Sequence, residues 1–204
     1  MKYTKLGYSG IEVSRVCLGG MSFGVPTPDH HQWTIDPGET RAVIARALER
    51  GVNFIDTANC YANGTSEEYI GAALRGLGVQ RDKVVLASKV YFNEGRLSAA
   101  AIEREIEGTL RRLQTDYLDL YIIHRFDYDT PVEETMEALD GLVRAGKVRA
   151  IGASAMYAYQ LHNMQVAAER NGWTKFTSMQ CHYNLLYRED ERELIPICTQ
   201  QNVA

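Results

Sequence analysis

Asp56, Tyr61, Lys89 and His124 are residue types that together could deliver a proton and orient a carbonyl. A phenol can protonate a forming alkoxide, but its ordinary pKa of about 10 is high for the task. A neighbouring ammonium favours the phenolate and lowers that value. Lys89 is thus a candidate to tune Tyr61, Asp56 to hold Lys89 by an ion pair, and His124 to hydrogen-bond a substrate oxygen. Such a set suits carbonyl reduction, which needs a hydride donor as well as a proton. The hydroxyl of Ser154 and the amide of Gln180 suit the donor and acceptor of a nicotinamide carboxamide. Each residue also fits a plainer role. Asp56 can form a turn, Tyr61 can pack a loop, and Ser154 can cap a helix. Lys89 and Gln180 can face solvent, and a lone His124 can sit satisfied at the core edge. Only joint placement favours chemistry.

The elements that must place them alternate along the chain. Residues 3–15 read as a hairpin around Tyr8-Ser9-Gly10. Residues 16–24 read as a strand that breaks into Gly19, Gly20, Met21 and Gly24, without a G-x-G-x-x-G fingerprint. Residues 25–36 read as a loop. Asp36-Pro37-Gly38-Glu39 then carries a helix cap, a first-position proline and a capping-box acid. Strands at 52–56, 84–88, 117–123, 148–153 and 177–181 lead to helices near 66–76, 99–113, 131–145, 156–170 and 189–200. Thr65 with Glu68, Ser98, and Thr130-Pro131-Val132-Glu133 stand where caps belong. A seventh barrel strand would begin near Asn202-Val203-Ala204.

Alternating strands and helices imply a parallel sheet with helices outside, either an open doubly wound sheet or a (β/α)8 barrel. Ligands sit at the carboxyl ends of the strands in both. Asp56, Lys89 and His124 each end a period-2 run of apolar residues, so a barrel interior would collect all three. A complete barrel usually needs about 250 residues, and 204 residues supply about six of eight βα units. The expectation is one domain over 1–204, C-terminally incomplete.

Composition removes several function classes. The net charge of −4 gives no general attraction to nucleic acid or anionic membrane. No stretch approaches the roughly 20 apolar residues of a membrane span, and the N-terminus lacks the apolar core of a secretory signal. Cys17, Cys60, Cys181 and Cys198 have no metal-site spacing and read as free thiols in a reducing cytoplasm. Adjacent His30 and His31 are poorly placed to share a metal and read as loop. No metal site is expected.

The stretches D-T-A-N-C-Y-A-N-G-T-S-E, V-V-L-A-S-K-V, L-D-L-Y-I-I-H, G-K-V-R-A-I-G-A-S and M-Q-C-H-Y-N-L, in this order and spacing, resemble the aldo-keto reductases over essentially the whole chain. L-G-G-M-S-F-G and T-P-V-E-E-T-M-E-A-L look most like the bacterial-type branch related to potassium-channel β subunits. The resemblance implies a TIM barrel closed at its bottom by the hairpin, and NADPH-dependent reduction of aldehydes or ketones without metal. It maps a catalytic tetrad onto Asp56, Tyr61, Lys89 and His124. Nicotinamide contacts map onto Ser154 and Gln180, with Gly20 and Met21 beside them and Asp56 shared. Many relatives have Asn after the serine, where this chain has Ala155. Segments after strands seven and eight, which grip the cofactor phosphates in the family, lie beyond the sequence. The partner implied is a small carbonyl substrate, with its identity and the oligomeric state open. The alternatives are a redox-sensing cofactor-binding module of the channel β-subunit kind and an inactive fragment.

Overall fold

The computed structural model describes residues 1–28 and 31–204. Asp29 and His30, within the stretch expected to be loop, lie outside the described residues. β1 (Tyr3–Lys5) and β2 (Glu12–Ser14) form the antiparallel hairpin. Six strands follow: β3 (Cys17–Gly19), β4 (Phe54–Asp56), β5 (Val85–Val90), β6 (Leu118–Ile123), β7 (Val148–Ser154) and β8 (Ser178–Gln180). They make one parallel sheet in the order β3-β4-β5-β6-β7-β8.

That order decides between the two closures. A doubly wound sheet reverses its strand order at a switch point. Here each strand is added beside the last without reversal, and the sheet curls as six consecutive strands of a (β/α)8 barrel. Residue 204 continues the pattern. The Met179 amide donates to the Ala204 carbonyl at 2.8 Å, and the Ala204 amide to Thr177 O at 3.0 Å.

The helices are α1 (Pro37–Glu49), α2 (Thr65–Gly76), α3 (Ala99–Leu113), α4 (Val132–Arg144), α5 (Ala158–Asn171) and α6 (Leu194–Gln200). α3 shows why they lie where they do. Ile102, Ile106, Leu110 and Leu113 recur at helical spacing and are buried against the sheet, while Glu103 and Glu107 face out. The outward side chains of β5 and β6, including Leu86, Val90, Tyr121 and Ile123, meet this layer in one large apolar core.

The inward faces form a second, smaller core. Val85, Ala87, Leu120, Ile122 and Ala150 pack with Leu6 and Val13 from the hairpin. The hairpin thus plugs the barrel interior, and the polar ends of β4, β5 and β6 lie beyond the plug. Gly7 is needed for this fit. Its φ is +54°, and a Cβ there would lie 2.2 Å from the Thr177 carbonyl oxygen.

The caps divide. At α1 the capping box forms: the Glu39 amide donates to Asp36 Oδ1 at 2.9 Å, and the Asp36 amide to Glu39 Oε2 at 3.4 Å. Three other expected caps do not form. The Ser98 hydroxyl makes no cap bond, and Glu134 from α4 accepts from the Ala99 amide instead. Thr130 donates to Asp127, and α4 starts one residue later behind Pro131. Thr65 donates back to Ala62 O, which leaves Gly64 as the cap of α2. The helix expected over 189–200 is split into a 3-10 turn (Glu189–Glu191) and α6. Pro196 tolerates only the first turn of a helix, so α6 cannot begin much earlier. No helix among the described residues is long and apolar enough to cross a membrane.

Candidate active site

Lys89 is the centre of the polar cluster at the barrel mouth. β5 runs to Val90, so Lys89 lies inside the strand rather than just beyond it, and its side chain is fully buried. A buried ammonium must be paired and hydrogen-bonded. Its three protons have three acceptors: Asp56 Oδ2 at 2.6 Å, Thr57 O at 2.9 Å and Tyr61 Oη at 3.2 Å. Asp56 ends β4, one strand away in the ladder, and period-2 alternation turns both side chains inward.

Burial alone would lower the Lys89 pKa. The Asp56 carboxylate and Tyr61 outweigh it, so the net shift is upward and the ammonium persists. Tyr61 departs from the simple expectation. Burial pushes its phenol up and is the largest influence; Lys89 pulls the other way without cancelling it. The ammonium limits the rise rather than producing a net fall. The phenol therefore keeps its proton, as a donor must.

Tyr61 is held by a strained turn. It opens a 3-10 turn, Tyr61–Gly64, in which Ala62, Asn63 and Gly64 all have positive φ of 46°, 55° and 90°. Left-handed non-glycine residues persist where the surroundings over-determine them. Here Thr65 Oγ1 donates to Ala62 O at 2.7 Å and accepts from the Val25 amide at 2.9 Å. Arg112 of α3 packs over Gly64 and donates from Nε to Glu67 Oε2 at 2.6 Å. Glu67 is fully buried and also accepts from the Ser88 hydroxyl, next to Lys89 in the chain. A second tie joins the Thr57 and Ser66 hydroxyls at 2.8 Å, with Ser66 donating on to Gly20 O.

His124 follows β6 directly. Its amide donates to Val90 O at 2.9 Å, and its ring stands edge-on to Tyr61 with centroids 5.7 Å apart. The Cys60 thiol lies 3.9 Å from Nδ1. Burial first, then the cations of Lys89 and Arg125, push its pKa down to about 4. The imidazole is neutral at pH 7 and carries one N–H to offer.

The structure brings Asp56, Tyr61, Lys89 and His124 into one cluster. Gln180, which ends β8, reaches it from the far side: its amide donates to Asp56 Oδ2 at 3.4 Å. Ser154 is buried at the end of β7, beside Gln180 in the ladder. Gly20 lies against β4, its amide donating to Asp56 O at 2.7 Å, while the Met21 side chain is exposed. Ala155 adopts a left-handed φ of 46°, a conformation Asn tolerates better than Ala.

Sequence reasoning named Cys60 only as a free thiol and did not single out Thr57, Ser66, Glu67, Ser88, Phe92 or Arg112. Acid at Glu67 within a sequence-adjacent helix start reads as a capping or dipole residue, and nothing local shows that it is buried. Among the described residues, no group of three or more His, Cys, Asp or Glu could hold a metal ion.

Comparison with known proteins agrees with this architecture. The model of the Aldo/keto reductase family matches residues 15–204. Aldo-keto reductase AFTS1 of Alternaria alternata is 45% identical over 231 residues, covering 99% of this chain and 63% of the relative. Versiconal hemiacetal acetate reductase of Aspergillus parasiticus is 40% identical, covering 100% and 65%. A putative aryl-alcohol dehydrogenase, AAD16 of Saccharomyces cerevisiae, is 37% identical, covering 100% and 66%. The chain thus spans less than two thirds of the length of these curated relatives. By the family match and these identities, the chain belongs to the aldo/keto reductase family.

Proposed function

We propose that the whole protein is an NADPH-dependent oxidoreductase that reduces aldehydes or ketones to alcohols, with residues 1–204 forming the larger part of a single barrel domain. The observation that carries the proposal is the three-way bonding of the Lys89 ammonium to Asp56, Thr57 O and Tyr61 Oη. It fixes the Tyr61 hydroxyl at the mouth of a barrel, where ligands of this fold bind.

The residues present fit a nicotinamide cofactor. Asp56 Oδ1 is buried and has no hydrogen-bond partner, so it can accept from a sugar hydroxyl. Gln180 and Ser154 would hold the carboxamide, with Gly20 and Met21 beside it. When bound, the reduced nicotinamide supplies the hydride. Tyr61 gives its proton to the oxygen of the substrate. Lys89 stays charged beside the phenolate that remains and offsets its burial. Asp56 keeps Lys89 in place and charged. His124, neutral, donates its one N–H to the same oxygen and selects the orientation in which the carbonyl faces Tyr61. The partner is a small carbonyl compound. The four cysteines, all free, support a reducing, cytoplasmic setting.

The test is steady-state reduction of an aromatic aldehyde by the whole protein, followed as loss of the reduced nicotinamide's absorbance, with NADPH and NADH compared. Aldehyde-dependent NADPH consumption is expected, with NADH less effective. No consumption with any of a panel of aldehydes and ketones would reject the proposal.

A further inference from the structure

Arg125 follows His124 directly and leaves the barrel at the end of β6. A guanidinium so placed would ordinarily take a local carboxylate. The two nearest in sequence are both committed elsewhere. Asp129 pairs with Arg96, and Asp127 lies 3.6 Å from the same guanidinium. Asp127 also accepts from the Leu97 amide, the Asp129 amide and the Thr130 hydroxyl. Among the described residues, no carboxylate pairs with Arg125.

Two further features place Arg125 beside the His124 end of the polar cluster and at a cleft. Its guanidinium lies 5.3 Å from the centroid of Phe92, and Phe92 stands edge-on to His124 at 5.0 Å. The cation is therefore one ring away from the imidazole that would orient the substrate oxygen. Arg125 also lines a cleft of about 330 Å3 with Phe126, Tyr128, Tyr157, His182 and Tyr187. The cleft gathers residues that follow β6, β7 and β8, so it opens at the same end of the barrel as the cluster around Lys89. Its volume is at the small end of the roughly 300–1,000 Å3 of ligand pockets, and its walls are aromatic, as a flat ring prefers. Asp190 is the one carboxylate among its lining residues; it neighbours the Cys181 thiol and does not pair with Arg125.

We infer that Arg125 and this cleft form a subsite for an aromatic group bearing a carboxylate, which makes carboxylated aryl aldehydes and ketones the favoured substrate class. The inference rests on the proposed carbonyl reduction for the reaction but not for the binding. A planar guanidinium can take a carboxylate through two parallel N–H bonds, which a neutral ester cannot match. Arg125 is exposed, so the gain is modest, on the order of tenfold rather than a thousandfold.

The experiment compares 3- and 4-formylbenzoate with their methyl esters, using the whole protein and the variants Arg125→Met and Arg125→Lys. Two quantities are read: kcat/KM, and affinity without turnover from ligand-observed NMR. In the wild type at least one acid should exceed its ester by about tenfold in both, with the advantage falling as NaCl is raised. Arg125→Met should bring the acid-to-ester ratio to about one, and Arg125→Lys should keep part of it. Equal handling of acid and ester by the wild type overturns the inference, as does an acid preference that survives Arg125→Met. Turnover without an acid preference leaves carbonyl reduction standing and removes the subsite. An acid preference in binding, lost in Arg125→Met but without turnover, keeps the subsite and rejects the reaction.

Discussion

Replacing Lys89 with Met removes three hydrogen bonds at once and leaves the Asp56 carboxylate beside an apolar side chain. Lys89 is fully buried and the Asp56 side chain is 9% exposed. Removing one partner of a buried pair costs about 3–5 kcal/mol, whereas replacing both by apolar groups is often close to neutral. The Gln180 amide, 3.4 Å from Asp56 Oδ2, is too distant to substitute for an ammonium at 2.6 Å. Lys89→Met should therefore lower the unfolding free energy by about 3–5 kcal/mol, and Asp56→Leu by a similar amount, since each strands a charge. The double variant should recover most of the loss. Urea unfolding at pH 7 of all four proteins measures this directly. Single effects that add to within about 0.5 kcal/mol in the double variant would show that Lys89 and Asp56 are not coupled. The pH dependence has a fixed sign. Because the folded-state pKa of Lys89 lies above its ordinary 10.5, its stabilisation is complete below that value and is lost as pH rises through the folded pKa. The gap between wild type and Lys89→Met should be level from pH 7 to about 10 and narrow only above it.

Gly64→Ala should be destabilising by about 1–3 kcal/mol, because φ is +90° there and the new Cβ would lie 2.9 Å from Arg112 Cδ; an unchanged unfolding midpoint would show that the turn behind Tyr61 is not constrained in this way. His124 should remain neutral from pH 7 to pH 5 in long-range 1H–15N spectra, since burial and the cations of Lys89 and Arg125 hold it at about 4. As pH falls from about 6.5 towards 4 the unfolded chain takes up this proton first, so His124 lowers stability in that window; a titration midpoint near 6.5 would contradict the burial argument.

The barrel was legible because its signals are periodic. The stripe Ile102, Ile106, Leu110 and Leu113 gave α3 its limits, and the alternation of Val85, Ala87 and Lys89 gave the inward face of β5. Periodicity alone left a barrel and a doubly wound sheet open; the family resemblance implied the barrel, and the strand order bears it out. Asp36 capped its helix through a reciprocal bond pair with Glu39, three residues on, which the local sequence alone displays. Ser98 and Thr130 did not: Glu134, 35 residues away in sequence, accepts from the first amide of α3, and the Thr130 hydroxyl donates to Asp127 three residues before it. Asp56, Lys89 and His124 were legible for the same reason as the strands, since each ends an alternating run or directly follows one, while Tyr61 lies five residues beyond Asp56 on a turn. The supports of Tyr61 were not legible. The Glu67–Arg112 pair spans 45 residues, and its existence depends on how α2 meets α3. The net rise in the Tyr61 pKa was hidden likewise, since it depends on burial that the neighbours of Tyr61 in sequence do not determine.

In the proposed reaction the Tyr61 phenol delivers the proton. That role is tested most directly by single-turnover aldehyde reduction in Tyr61→Phe, with cofactor and aldehyde affinities measured in the same protein. The substitution keeps the ring against His124 and removes only the hydroxyl. Affinities within a few-fold of wild type are expected, with a rate of reduction lower by about 10²–10⁴-fold, the usual contribution of a positioned general acid. A rate equal to that of the wild type would contradict that role.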